Sequence, residues 1–274
     1  MTAARICMQW AAALLMVFAA VQAGAQPAKD FKPEVGQEGK DVVWVPTSQA
    51  LVNKMLDMAK LTARDIHYDL GSGDGRTVIT AAKRGARSYG IEYNPEMVAL
   101  SQKNAAREGL AERATFAKAD LFETDFSSAT VLTLFLLPSI NEKLKPKILD
   151  MKPGTRVVSN TFTMGDWDAD ETGTAASDEG SSYYRTALLW IVPAKVEGVW
   201  KSASGDLSLK QMYQKISGSI NVGGASTLIT NGRLRGDVIT FSAGGAQYSG
   251  NVAGNTINGT VTTGGKPQPW NASR

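Results

Sequence analysis

Apolar positions follow two rhythms along this chain. After Pro46, Thr47 and Ser48 stand where a helix cap belongs, and Leu51, Val52, Met55, Leu56 and Ala59 recur at three- and four-residue intervals, the pattern of one buried helical face. From Asp65 onward, strand-like and helical stretches alternate. "DIHYDL" reads as a strand and "GRTVITAAKRG" as a helix closed by Gly85. "SYGIEY" is a second strand and "NPEMVALSQKNAAREG" a second helix, with Asn94 to cap it, Pro95 in its first turn and Gly109 beyond its end. "ATFAKAD", "TVLTLFLLP" and "TRVVSNTF" continue the series of strands, with helical "INEKLKPKILDM" before the last. This repetition predicts a parallel sheet covered on both faces, with the apolar "TVLTLFLL" at its centre.

The rhythm changes after Phe162. "TMGDWDADETGTAASDEGSS" reads as an acidic loop and "YYRTALLWIVPA" as one more strand. From Val196 the helix signals fade, and a loose unit of apolar residue, x, Gly, x, apolar residue recurs in "VEGVW", "ISGSI", "LRGDV", "YSGNV" and "INGTV". This segment holds 14 of the 27 glycines, too many for helices, so it predicts a meander of short antiparallel strands forming a small barrel or sandwich. With seven basic and three acidic residues it is mildly cationic.

The first residues read as an export signal. Arg5 gives a positive start, Met8 to Val21 an apolar stretch short for a bilayer, and "AGA" at Ala23–Ala25 a small-x-small cleavage pattern before Gln26. The expected organisation is therefore a signal at 1–25, a polar linker at 26–42, an α/β domain at 43–194 and the glycine-rich β domain at 195–274. The implied location is periplasmic or secreted, with an uncleaved anchor in the inner membrane as the alternative. Cys7, the one cysteine, lies in the signal, so the mature chain has neither disulfide nor thiolate chemistry. His67, the one histidine, excludes His-rich metal sites, and no metal is expected. A net charge of +3 without a run of Lys or Arg argues against a nucleic-acid partner.

The chemistry concentrates in "YDLGSGDGR". Gly71, Gly73 and Gly75 sit between a strand and a helix, where a ligand can approach backbone that carries no Cβ. Asp69 and Asp74 flank that turn and would repel a pyrophosphate, but they suit a cationic nucleoside coenzyme. Glu92 ends the next strand, where a carboxylate accepts both ribose hydroxyls, and Asp120 ends the third, near an adenine amine. S-adenosyl-L-methionine fits this pattern, and the coenzyme set is Thr47, Asp69, Gly71, Ser72, Gly73, Asp74, Gly75, Glu92, Asp120 and Leu121.

These motifs resemble class I S-adenosylmethionine-dependent methyltransferases. "VWVPTS", "MLDMAKL", "YDLGSGDGRTVITAAKRGA" and "FLLPSINEKLKPKI" are similar to a lysine methyltransferase family whose eukaryotic members modify the membrane-embedded c subunit of ATP synthase. The resemblance spans somewhat under half the chain and stops short of the glycine-rich segment. It implies a Rossmann-like seven-stranded sheet, mostly parallel with its last strand antiparallel, and transfer of a methyl group to a protein lysine or small amine. "LFLLPSIN" lacks the Asn/Asp-Pro-Pro-aromatic signature of amide and base methylation. Phe135, Pro138 and Asn141 are acceptor-side candidates, with Asn160 and Thr161 behind them.

Two rival functions follow from the same residues. One is an inactive exported coenzyme- or nucleoside-binding protein whose β domain does the work; separately, the N-terminus or the β domain could carry an association with the membrane or envelope. The other is an aminopropyl transferase, which needs an acidic residue soon after the fourth strand, and none precedes Glu142. His67 is expected as a packed structural residue and Trp44 as a packing residue. Asp166, Asp168, Asp170 and Glu171 fail the EF-hand spacing and are expected as a solvated loop that could steer a basic peptide.

Overall fold

The computed structural model describes residues 31–176 and 183–274. The expected export signal lies outside the described residues. The first sheet is built from β1 (Ile66–Leu70), β2 (Arg87–Glu92), β3 (Ala114–Lys118), β4 (Val131–Leu134), β5 (Arg156–Asn160), β6 (Glu171–Thr174) and β7 (Thr186–Ile191). Its order is β3-β2-β1-β4-β5-β7-β6. The first five strands run parallel, and β7 pairs antiparallel with both β5 and β6. This is the expected seven-stranded sheet. β6 is a correction to the solvated loop, because Glu171–Thr174 pairs with β7; its polar, glycine-containing sequence carries little strand signal.

Among the described residues four helices accompany this sheet: α1 (Gln49–Met58), α2 (Arg76–Lys83), α3 (Pro95–Arg107) and α4 (Pro138–Leu149). Ser48 caps α1 by accepting from the Leu51 amide, and Asn94 caps α3 by accepting from those of Glu96 and Met97. The faces these helices bury, such as Leu51, Met55 and Ala59 of α1, pack on sheet residues including Val131, Val158 and Leu189. β4 is buried along its whole length, as its two-sided apolar pattern requires.

The glycine-rich segment forms β8 (Gly198–Ser202), β9 (Asp206–Met212), β10 (Lys215–Val222), β11 (Ala225–Leu228), β12 (Thr230–Arg235), β13 (Val238–Ala243), β14 (Ala246–Ala253), β15 (Thr256–Thr263) and β16 (Lys266–Ser273). Antiparallel neighbours run from β10 through β12 to β16, then to β8 and β9, and β9 pairs back onto β10. The result is an eight-stranded barrel, with β11 continuing into β12. Burial alternates strictly along β14, and inside the barrel Phe241 stacks on Tyr248, centroids 4.6 Å apart, while Trp270 meets both rings edge-on at 5.7 and 5.3 Å. Several recurring glycines sit where strands approach backbone to backbone. A Cβ on Gly218 would fall on the Ser208 carbonyl, at a φ of +139°.

The barrel is fastened to the first sheet by the acidic stretch. Lys215 pairs with Asp168, Arg233 with Asp170 and Arg235 with Glu171, while the Tyr213 hydroxyl donates to Asp166. The Tyr213 ring also stacks on buried Trp167, centroids 5.8 Å apart. Asp168, Asp170 and Glu171 are thus paired with barrel cations, and Asp166 with Lys145 of α4, so the stretch is tied down on both sides and is not a free solvated loop. Part of the barrel's mild cationic character is neutralised at the same contact.

Candidate functional site

β1, β2 and β3 end side by side, and the turn after β1 crosses the carboxyl edge of the sheet. Gly71, Gly73 and Gly75 adopt φ of +80°, +53° and +82°, which other residues reach only with strain. A Cβ on Gly75 would lie 2.8 Å from the Phe116 ring, and one on Gly73 would lie 2.6 Å from the Trp44 Nε1. Backbone and indole thus meet where any side chain would intrude. The Glu92 carboxylate braces the turn, accepting from the Gly73 amide at 2.9 Å and from the Asn94 amide at 2.9 Å.

Asp69 is buried at the end of β1 and accepts from the Thr133 hydroxyl at 2.6 Å. Burial pushes its carboxyl up to about 7; the Thr133 hydrogen bond opposes this, while the charges of Glu92 and Asp74 add to it. His67 lies two residues earlier on the same face and reaches the same Thr133 oxygen through Nε2 at 2.8 Å. Because that hydroxyl donates to Asp69, it accepts from His67, so the imidazole proton sits on Nε2. Nδ1 then accepts from the Ser88 hydroxyl at 3.3 Å. Full burial lowers the His67 pKa to about 3 and keeps the ring neutral. His67 is the structural residue expected, here one link in a Ser88–His67–Thr133–Asp69 chain.

Asp74 lines the cavity beside this turn. Arg76 grips both its oxygens, at 2.6 to 3.1 Å, and donates to the Thr47 carbonyl at 2.9 Å. Its charge is thus paired within the turn, while Asp69, Glu92 and Asp120 bring carboxylates to the same cavity from three strand ends. Asp120 is itself ion-paired to Lys40, whose ammonium holds the carboxyl below the ordinary carboxylate range, and it accepts from the Phe122 amide at 2.9 Å. Lys40 also lies over the Tyr93 ring, 4.9 Å from its centroid.

Asp69, Gly71, Gly73, Asp74, Arg76, Glu92, Lys40 and Asp120 line one cavity of about 390 Å³, whereas Gly75 lies behind it against Phe116 and Ser101. Thr47, Ser72 and Leu121 line it too, although the Ser72 hydroxyl is buried without a hydrogen-bond partner. Residues 37–42, expected as linker, form a strap across it with Trp44: the Gly36 amide donates to the Trp44 carbonyl and the Trp44 amide to the Gln37 carbonyl. Among the described residues no cluster of His, Cys, Asp and Glu has the makings of a metal site.

The far half of the cavity is apolar. Phe135 follows β4 and lines it, together with Phe162 after β5 and Tyr184 before β7. Pro138 instead starts α4 on the exposed surface, and Asn141 is fully buried beneath the cavity. The Asn141 amide donates to the carbonyls of Phe162 and Thr163, at 3.3 and 3.1 Å. Asn160 is also buried and donates to the Thr47 hydroxyl at 3.2 Å. Phe162 and Tyr184 escaped the sequence reading. Topology would have found Tyr184, because an antiparallel strand begins at the edge where its parallel neighbours end.

Residues 69–171 match the family described as the ANTKMT methyltransferase domain. A protein-lysine N-methyltransferase from Saccharolobus islandicus is 46% identical over 154 residues, 55% of this chain and 94% of that protein. The chain belongs to this methyltransferase family. A Xenopus laevis lysine N-methyltransferase named for the c subunit of ATP synthase is 34% identical over 128 residues, 46% of this chain and 56% of that protein. Among solved structures, an RNA methyltransferase from Salinibacter ruber with bound S-adenosyl-L-homocysteine is 46% identical, with a TM-score of 0.51 over 56% of this chain and 96% of that one. The methyltransferase uses S-adenosylmethionine, and its cavity fits that coenzyme: a side-chain-free turn, carboxylates at three strand ends, and room for a nucleoside beside an apolar half.

Proposed function

We propose that the protein transfers a methyl group to the side-chain amine of a lysine in another protein. When bound, S-adenosylmethionine supplies a methyl group on a good sulfonium leaving group, so the chain's own task is to position the acceptor and exclude water. Glu92 would hold the ribose hydroxyls, Asp69 the ammonium end, and the Gly71–Gly75 turn the backbone contacts. The observation that carries the acceptor is the character of the cavity's far half. Its walls there are Leu134, Phe135, Leu136, Ile140, Phe162 and Tyr184, which suit an alkyl stem and desolvate its amine. Desolvation favours the neutral amine, which a lysine of pKa about 10.4 rarely presents in water. The two cations lining the cavity, Lys40 and Arg76, are committed to Asp120 and Asp74, which disfavours a phosphate-bearing acceptor.

The test is transfer of labelled methyl from S-adenosylmethionine to protein, with methyl-lysine sought by mass spectrometry after digestion. Label recovered in RNA and absent from protein would overturn the reading.

We further propose that the chain is exported and acts in the cell envelope, with an uncleaved inner-membrane anchor as the other form. Support comes from Arg5, the apolar run Met8–Val21 and the Ala23–Ala25 cleavage pattern. N-terminal sequencing of the protein from fractionated cells should begin at Gln26, and a cytosolic protein beginning at Met1 would remove the proposal.

A further inference from the structure

Lysine transfer requires side chains that receive the acceptor stem. Phe135, Phe162 and Tyr184 come from three separate places in the chain and meet in one cluster. The Phe135 and Phe162 rings lie 5.9 Å apart and nearly parallel, and Tyr184 stands 5.1 Å from Phe135 and 6.0 Å from Phe162. All three are half-buried and line the cavity opposite the coenzyme turn. The rings touch one another, so they make a continuous wall and not an open cage.

The backbone is strained where it places Phe162. Thr161, a β-branched residue, adopts φ +61°, a conformation that such residues avoid and that persists only where surroundings enforce it. Its amide donates to the Thr186 carbonyl at 2.7 Å, and the Phe162 amide folds back onto the Asn160 carbonyl at 2.7 Å. From below, the buried Asn141 amide grips the Phe162 carbonyl. Strain and a buried amide thus converge on one half-buried ring that contributes little to a core.

We propose that Phe135, Phe162 and Tyr184 form the acceptor wall, along which the methylene stem of the target lysine lies with its nitrogen directed to the coenzyme half of the cavity. This rests on the lysine reading above. Aromatic faces attract a cationic nitrogen at its rim, both as the arriving ammonium and as the methylated product. The same wall strips water from the stem, which favours the neutral amine needed for attack. A nucleobase is the poorer fit, because Phe135 and Phe162 already stack on each other and leave no open face between them for a base. Asn141 and Thr161 are positioning residues in this scheme: they touch Phe162 and not the substrate.

The experiment uses the full chain and two peptide libraries, heptapeptides with a central lysine and flanks randomised over residues other than lysine, and the same set with central norleucine, beside an RNA transcript pool. Coenzyme affinity is measured in parallel by calorimetry. Phe162→Ala and Tyr184→Ala should each raise KM for the lysine library at least tenfold, with coenzyme affinity kept within twofold. Tyr184→Phe, which keeps the ring, should bring KM back to within threefold of the parent. Asn141→Ala should raise KM in the same direction as Phe162→Ala and add little when combined with it. If Phe162→Ala loses coenzyme binding through misfolding, Phe162→Leu and Tyr184→Ala decide. Equal KM in parent and variants would overturn the wall while leaving lysine transfer intact. Label in RNA and none in the lysine library would overturn both.

Discussion

Replacing Asp69 by Asn removes one titration from the fold while keeping its shape and its acceptor oxygen for Thr133. The folded carboxyl sits at about 7 against an ordinary 3.8. Between those values the unfolded chain has released the proton and the folded chain still holds it, so stability is lost as pH rises from about 4 to 7 and levels off above. About three pH units at about 1.4 kcal/mol each give about 4 kcal/mol across the window. His67 acts in the opposite sense: its folded pKa of about 3 lies below the ordinary 6.5, so its contribution is present above 6.5 and lost as pH falls toward 3. From pH 4 to 6.5 the two slopes oppose each other in the parent protein. Asp69→Asn uncovers the His67 slope, so its unfolding free energy should climb relative to the parent by about 4 kcal/mol between pH 4 and 7. Urea unfolding followed by circular dichroism at constant ionic strength measures that difference, and other ionisable groups cancel in it. A difference that stays constant from pH 4 to 8 would refute the buried, proton-holding Asp69.

Further outcomes follow from other contacts. Glu92→Ala should weaken S-adenosylmethionine binding at least a hundredfold in calorimetry, since two hydrogen bonds to a charged group are worth roughly 1.5–3 kcal/mol each; retained affinity would exclude the ribose role. Gly73→Ala carries a left-handed penalty of about 1–2 kcal/mol and pushes its methyl into Trp44, so coenzyme affinity should fall at least tenfold and the Trp fluorescence change. Asp170→Asn keeps one oxygen to serve two donors, the Ile191 amide and Arg233. It should cost about 1–3 kcal/mol, visible as a lowered Tm, with coenzyme affinity unchanged.

Much of the coenzyme half was legible because its signals are local. Glycines between a strand and a helix, and acidic residues at successive strand ends, need no knowledge of distant partners. The same holds for the barrel, whose alternating apolar positions and glycines announced short strands. What escaped the sequence depends on contacts between remote residues. Lys40 meets Asp120 across 80 positions, and Trp44 closes on Gly73 from the far side of a helix and a strand. No period in the segment before residue 48 signals that it straps a cavity. Asn141 drew attention as a polar residue near an apolar strand end, yet its amide is used for backbone support. The acidic stretch looks solvated in the sequence because the cations that answer it, Lys145, Lys215, Arg233 and Arg235, lie some twenty or more residues away on either side.

The pairing of that stretch with the barrel has a consequence for assembly. β6 is the outer strand of the first sheet, and an outer strand offers unpaired backbone groups that another chain can extend. Here the strand is four residues long, its burial is slight, and its leading Glu171 carries a charge paired to Arg235. Short length, charge and a neighbouring cation are devices by which natural sheets discourage edge-to-edge aggregation. A shortened chain lacking the barrel would lose both the Arg235 partner of Glu171 at that border and the Tyr213 ring that stacks on Trp167, and should self-associate.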